Sequence, residues 1–243
     1  MPPGMLLLFP AAKRPDLAGL RSALADQSRI TISHAAGQQA GSDCWVELLL
    51  DGMTFDLLGL APGAPVDPGG FRAFYDPPNA AQRDGAEALL LRPGPHLAGG
   101  ARTVPVLRGI AGLAAGLAQA LDGVIALSWQ PAESLVGAGF FRSTVDAWLQ
   151  GGPFPALGMT SLLADGEGGM VSLGLEFITG QELRLEPALC AQQAATAQLA
   201  VRLVNQLVAH GKLERAQSIT AHDGTVLRLV PSADGRYVLV RRG

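Results

Sequence analysis

Three Asp-Gly dipeptides, at 51–52, 223–224 and 234–235, each stand between two runs of alternating apolar residues. Asp-Gly accepts the positive φ angles of a tight turn, so each pair of flanking runs is predicted to fold back as an antiparallel hairpin. The first hairpin joins 44–50 to 53–60. The other two turns join 217–221, 225–230 and 236–241 into a C-terminal β meander. Sheets built this way are mainly antiparallel, and their presence near both ends of the chain sets the fold class.

The segments between supply helices and further strands. Met5–Phe9 reads as a short apolar strand closed by Pro10, and Asp16 caps a helix over 17–26, with Leu17, Leu20 and Leu24 at helical spacing. Ile30 and Ile32 share one face of a strand over 29–33. Further strands are predicted at 87–91, 124–129, 159–164, 170–179 and 182–186. Helices are predicted over 104–121, over 139–150 and from Pro187 to His210, the last ended by Gly211. In the 104–121 helix, Gly109, Gly112 and Gly116 lie along one side. Each costs about 1 kcal/mol relative to alanine, so a neighbouring element is expected to approach closely there.

The expected fold is therefore α+β, with mixed, mainly antiparallel sheets and helices packed on one face. From Glu87 onward the element order resembles a split βαββαβ unit, and the N-terminal part reads β-α-β-β-β. This predicts one continuous unit over 1–243, with two related βαβ-type lobes, 1–60 and 86–243. They would be joined by the Pro/Gly-rich segment 61–85, whose Phe71, Phe74 and Tyr75 argue for packing on the core.

Composition narrows the function classes. Charged residues are 16% of the 243, against a usual ~25%, and the net charge is −3. No strong positive field of the kind nucleic acid requires is present. No apolar stretch reaches the ~18 residues of a membrane span, and Met5–Phe9 is too short for a secretory signal. Cytoplasmic residence is expected, with Cys44 and Cys190 as thiols. Abundant Ala, Gly and Arg beside only two lysines, Lys13 and Lys212, suggests a GC-rich bacterial source. A low-charge surface favours self-association, so a homo-oligomer is expected.

Motifs tied to fixed geometry are missing. The nucleophile elbow GxSxG, the phosphate loop GxxxxGK[ST], a GxGxxG after a strand, HExxH and the EF-hand pattern do not occur. Nothing calls for a cofactor or a metal: His34, His96, His210 and His222 have no partner at ligand spacing. His34 and His96 follow predicted strands of different lobes and are the histidines to watch. Glu176, Glu182 and Glu186 form the one acidic cluster near a core strand, with Arg184 among them. A desolvated carboxylate there could do acid/base work; cross-strand ion pairing is the structural alternative. Trp129 and Trp148 could line a binding groove or fill the core.

The run Ser172-Leu-Gly-Leu-Glu-Phe-Ile-Thr-Gly-Gln-Glu-Leu-Arg-Leu-Glu186 resembles the C-terminal signature of the bacterial domain-of-unknown-function (DUF) family 4261. Met5–Phe9, 62–67 and 124–129 match its opening strand, its proline-rich crossing and a strand that often ends in Tyr-Trp. Two positions depart: Glu87 stands where a histidine is common, and Ser128-Trp129 replaces Tyr-Trp. The resemblance implies a bacterial origin and one continuous unit, and brings no activity with it. The reading is thus a non-catalytic binding or interaction protein of the bacterial cytoplasm, with an unidentified protein or small-molecule partner. The alternative is an enzyme using Glu176 or Glu182 with His96 or His34.

Overall fold

A computed structural model describes residues 2–36, 44–221 and 223–243. In chain order the elements are β1 (Met5–Phe9), α1 (Leu17–Leu24), β2 (Ile30–Ala36), β3 (Trp45–Leu50), β4 (Met53–Leu58), β5 (Ala73–Tyr75), α2 (Ala80–Arg83), β6 (Glu87–Pro93), α3 (Val104–Ala120), β7 (Ala126–Trp129), β8 (Ser134–Gly137), α4 (Ala138–Leu149), α5 (Ala156–Met159), β9 (Ser161–Ala164), β10 (Met170–Leu173), α6 (Leu175–Thr179), β11 (Glu182–Leu185), α7 (Gln193–His210), β12 (Gln217–Thr220), β13 (Val226–Pro231) and β14 (Tyr237–Arg242). The class is α+β. One sheet runs β2-β3-β4-β6-β1-β7-β8-β5 and the other β12-β13-β14-β11-β10-β9. Every pairing is antiparallel except β5 with β8 and β11 with β14.

The expected hairpins form, by two different turns. At 51–52 both central residues have positive φ, +50° for Asp51 and +80° for Gly52, as a tight mirror-image turn demands. Among the described residues of the meander, Gly224 and Gly235 are the left-handed ones, at +83° and +70°, within longer turns. These are closed by Ala221 N–H to Thr225 O (2.8 Å) and Ser232 N–H to Tyr237 O (2.8 Å).

The lobes drawn at 1–60 and 86–243 do not follow the sheets. β1 lies between β6 and β7, with Met5 opposite Leu91 on one side and Trp129 on the other. The reason is in the strand itself: all five of its residues are buried. A strand apolar on both faces belongs inside a sheet, where water reaches neither face. Residues 61–85 likewise do more than connect. Val66 and Phe71 pack with Leu6, Leu8, Ala126 and Leu135 on one face of the sheet, and β5 extends its edge.

The opposite face carries α3, whose Leu107, Ile110, Leu113, Ala114 and Leu117 are buried. The glycine stripe faces close neighbours, as its cost implied. A Cβ on Gly109 would sit 2.8 Å from Met53 Cε and 2.9 Å from Phe55 Cζ. α7 covers the inner face of the second sheet, where Leu203, Val204 and Leu207 join Leu183, Leu185, Leu229 and Val240 in the same core as α3. Where β5 and β9 meet, Tyr75 Oη accepts the Leu162 N–H at 2.9 Å. Burial pushes the Tyr75 phenol up, with the Leu162 and Ser161 bonds opposing. Buried Gln181 bonds both backbone groups of Leu213 and the Gly235 carbonyl, tying α6 to the meander.

Two expectations fail locally. The strand expected over 170–179 ends at Leu173, and α6 follows. Gly174 turns the chain at φ +94°, and a Cβ there would lie 2.9 Å from Ala132 Cα. The long helix begins at Gln193 instead of Pro187, because 187–189 forms a separate turn of 3-10 helix. Among the described residues no helix is long and apolar enough to cross a membrane.

Candidate functional site

The carboxylate singled out as a potential acid or base, Glu182, is a cap. It stands at the start of β11, buried, with its oxygens aimed at the first turn of α6. Oε1 accepts the N–H of Gly174 at 2.7 Å and of Glu176 at 3.1 Å. Oε2 accepts the Leu175 N–H at 3.2 Å and the Ser172 hydroxyl. The Leu183 N–H donates back to Ser172 Oγ at 2.7 Å. Burial pushes the Glu182 carboxyl up, with these four donors pulling the other way. A carboxylate so occupied satisfies helix N–H groups that the sequence at 172–174 cannot cap itself.

The other acid/base candidates stand apart from it. Glu176 is exposed on α6 and meets Glu182 only through its own backbone N–H. His96 is exposed in the turn of 3-10 helix at Pro95–Gly100. His34 is exposed on β2, the outermost strand of its sheet, its ring 5.4 Å from that of Trp45. Neither histidine is hydrogen-bonded to Glu176 or Glu182, so the pairing of lobes imagined from sequence is not formed. Glu186 accepts the Arg242 N–H at 2.7 Å. Arg184, expected to pair within the cluster, instead reaches Asp165 (3.2 Å) and Glu167 (2.7 Å) across the sheet. His210 Nδ1 lies 2.8 Å from the Gln206 carbonyl in the last turn of α7, and His222 lies outside the described residues.

Both tryptophans belong to the core. Trp129 is buried at the end of β7, edge-on to Phe177 at 5.4 Å. Trp148 is buried in α4, edge-on to Phe154 at 5.3 Å. Cys44 and Cys190 are not joined in a disulfide. Burial and then the Asp165 charge push the Cys190 thiol up, which disfavours the reactive thiolate. Among the described residues, no three His, Cys, Asp or Glu side chains stand close enough to hold a metal ion.

One concave feature with room for a ligand is a groove of about 640 Å³ along the outer side of α3, within the ~300–1,000 Å³ range of small-molecule sites. Gly112 and Gly116 of α3 lie along its floor, with Gly109 buried beside them under Met53 and Phe55. One wall is the β3–β4 turn with Ile30, Leu50 and Met53; the other is the end of α4 at Asp146 and Leu149. Of the four large apolar side chains left exposed among the described residues, two border it: Val104 (44%) and Leu149 (37%). Arg108 fixes the far wall. Its guanidinium lies over the Trp148 ring at 5.0 Å and donates to the carbonyls of Trp148 (3.1 Å) and Leu149 (2.9 Å).

The glycine spacing was the one sign of this groove in the sequence, as a hint of close approach. Val104, Leu149, Asp26 and Asp146 carried no sign of it, because they come from separate segments. No family model, curated protein or solved structure matches the chain.

Proposed function

We propose that this chain is a non-catalytic binding or interaction protein of the bacterial cytoplasm, and that the α3 groove holds its partner. The observation that carries this reading is the exposure of two large apolar side chains, Val104 and Leu149, on one groove lined by α3, the β3–β4 turn and the end of α4. Exposed apolar surface rimmed by polar groups marks interaction sites.

The test is a two-dimensional NMR titration of isotope-labelled protein with pooled hexapeptides. Shift changes clustered at Val104, Gly112, Leu149 and Met53 support the groove. Changes elsewhere, or none at millimolar peptide, remove it.

A further inference from the structure

The charges around the groove are uneven once their partners are counted. Five charged side chains line it: Asp26, Arg29, Asp51, Arg108 and Asp146. Arg29 is paired to Asp51 at 2.5 Å. Arg108 is held by the carbonyls of Trp148 and Leu149. Among the described residues, the carboxylates of Asp26 and Asp146 have no hydrogen-bond or ion-pair partner. Both are also placed against a helix dipole: Asp146 is in the last turn of α4, and Asp26 follows the end of α1 by two residues. A helix C-terminus carries partial negative charge and disfavours a carboxylate. Two carboxylates without a side-chain partner therefore line a groove that mixes polar residues with the apolar side chains of Ile30, Leu50, Met53, Val104 and Leu149.

On the reading of the groove given above, we infer that its occupant is a partner segment presenting a lysine or arginine beside an apolar side chain. The basic group would sit between Asp26 and Asp146, and the apolar group against Val104, Leu149 and Met53. A cation there relieves both unfavourable helix-end charges, and complementary charge speeds encounter and fixes register.

The experiment uses three fluorescein-labelled, end-blocked hexapeptides alternating leucine with lysine, serine or glutamate, against the full chain and two double variants. Fold is checked by circular dichroism. Asp26→Asn/Asp146→Asn removes the charges; Val104→Ser/Leu149→Ser weakens the walls at exposed positions. The inference expects the lysine peptide to bind tightest and to lose about tenfold in affinity on Asp26→Asn/Asp146→Asn, down to the serine peptide's level. Its advantage should also shrink as salt rises. If lysine and serine peptides bind equally and both weaken on Val104→Ser/Leu149→Ser, the charge inference is overturned while the groove stands. If the glutamate peptide binds best, the sign is wrong. If none binds, the groove reading itself falls.

Discussion

Arg14 and Glu87 are joined by a 2.8 Å ion pair across 73 residues of sequence, with only 8% of the arginine side chain exposed. The same guanidinium donates to the carbonyls of Gly59 and Gly63, so one side chain pins the start of β6 and the turn after β4 to the N-terminal segment. Removing one member of a buried pair leaves the other uncompensated, typically at 3–5 kcal/mol. Arg14→Met is expected to cost about that much in urea unfolding. Arg14→Met/Glu87→Leu should recover part of the loss, since no lone carboxylate then remains. A double variant no more stable than Arg14→Met would show that the two backbone carbonyls, not Glu87, are what the arginine serves.

Glu182 gives a pH dependence with a definite sign. Its carboxyl is pushed up by burial, so the folded chain holds this proton to higher pH than the unfolded chain, which releases it near pH 4.3. In that window the native state binds more protons, and stability falls as pH rises. Ser172 Oγ, which now donates, can rotate to accept from the protonated form. Glu182→Gln is expected to destabilise by roughly 1–3 kcal/mol, because a carboxamide nitrogen meets N–H donors. That cost should be largest near pH 4 and shrink toward pH 7. Urea midpoints of both proteins across this range check it; a cost growing with pH would reverse the assignment.

Gly116 and Gly109 should respond oppositely to alanine. At Gly116 the added methyl would lie 3.4 Å from Ile30 Cδ1, an ordinary contact, so the helix gains up to about 1 kcal/mol. At Gly109 it would press on Met53 and on the fully buried Phe55 ring. Overpacking of that kind costs roughly 1–3 kcal/mol and outweighs the propensity gain. Thermal melts of the two variants should move in opposite directions.

Arg228 and Arg241 face each other directly across β13 and β14, both exposed and neither in an ion pair. Like charges so placed are destabilising. Arg228→Glu is expected to stabilise by about 0.2–1 kcal/mol at low salt, with the gain fading in 1 M NaCl. No change in urea midpoint at low salt would mean that the two side chains already splay apart.

What could be read in the sequence was local. The turn at 51–52 and the meander follow from residues adjacent to one another, as do the cap at Asp16 and the helix from Thr103. The error at 170–179 has a plain cause. Leu173, Leu175 and Phe177 keep the period of two, and only the positive φ of Gly174 and a carboxylate eight residues on turn the chain into α6. The place of β1 between β6 and β7 left no local mark, because its partners lie about 80 and 120 residues further along the chain, near the separations of Met5 from Leu91 and Trp129. The groove stayed hidden because it is assembled from the end of α1, the β3–β4 turn, α3 and the end of α4, and no local pattern links them.

The central place of β1 bears on how the chain is made. Its two neighbours, β6 and β7, are translated long after it, so on the ribosome five apolar residues wait as an unclaimed strand until residue 93, and then residue 129, have emerged. Such a strand invites wrong partners in the interval. Keeping β1 unpaired until β6 emerges would therefore limit wrong pairing.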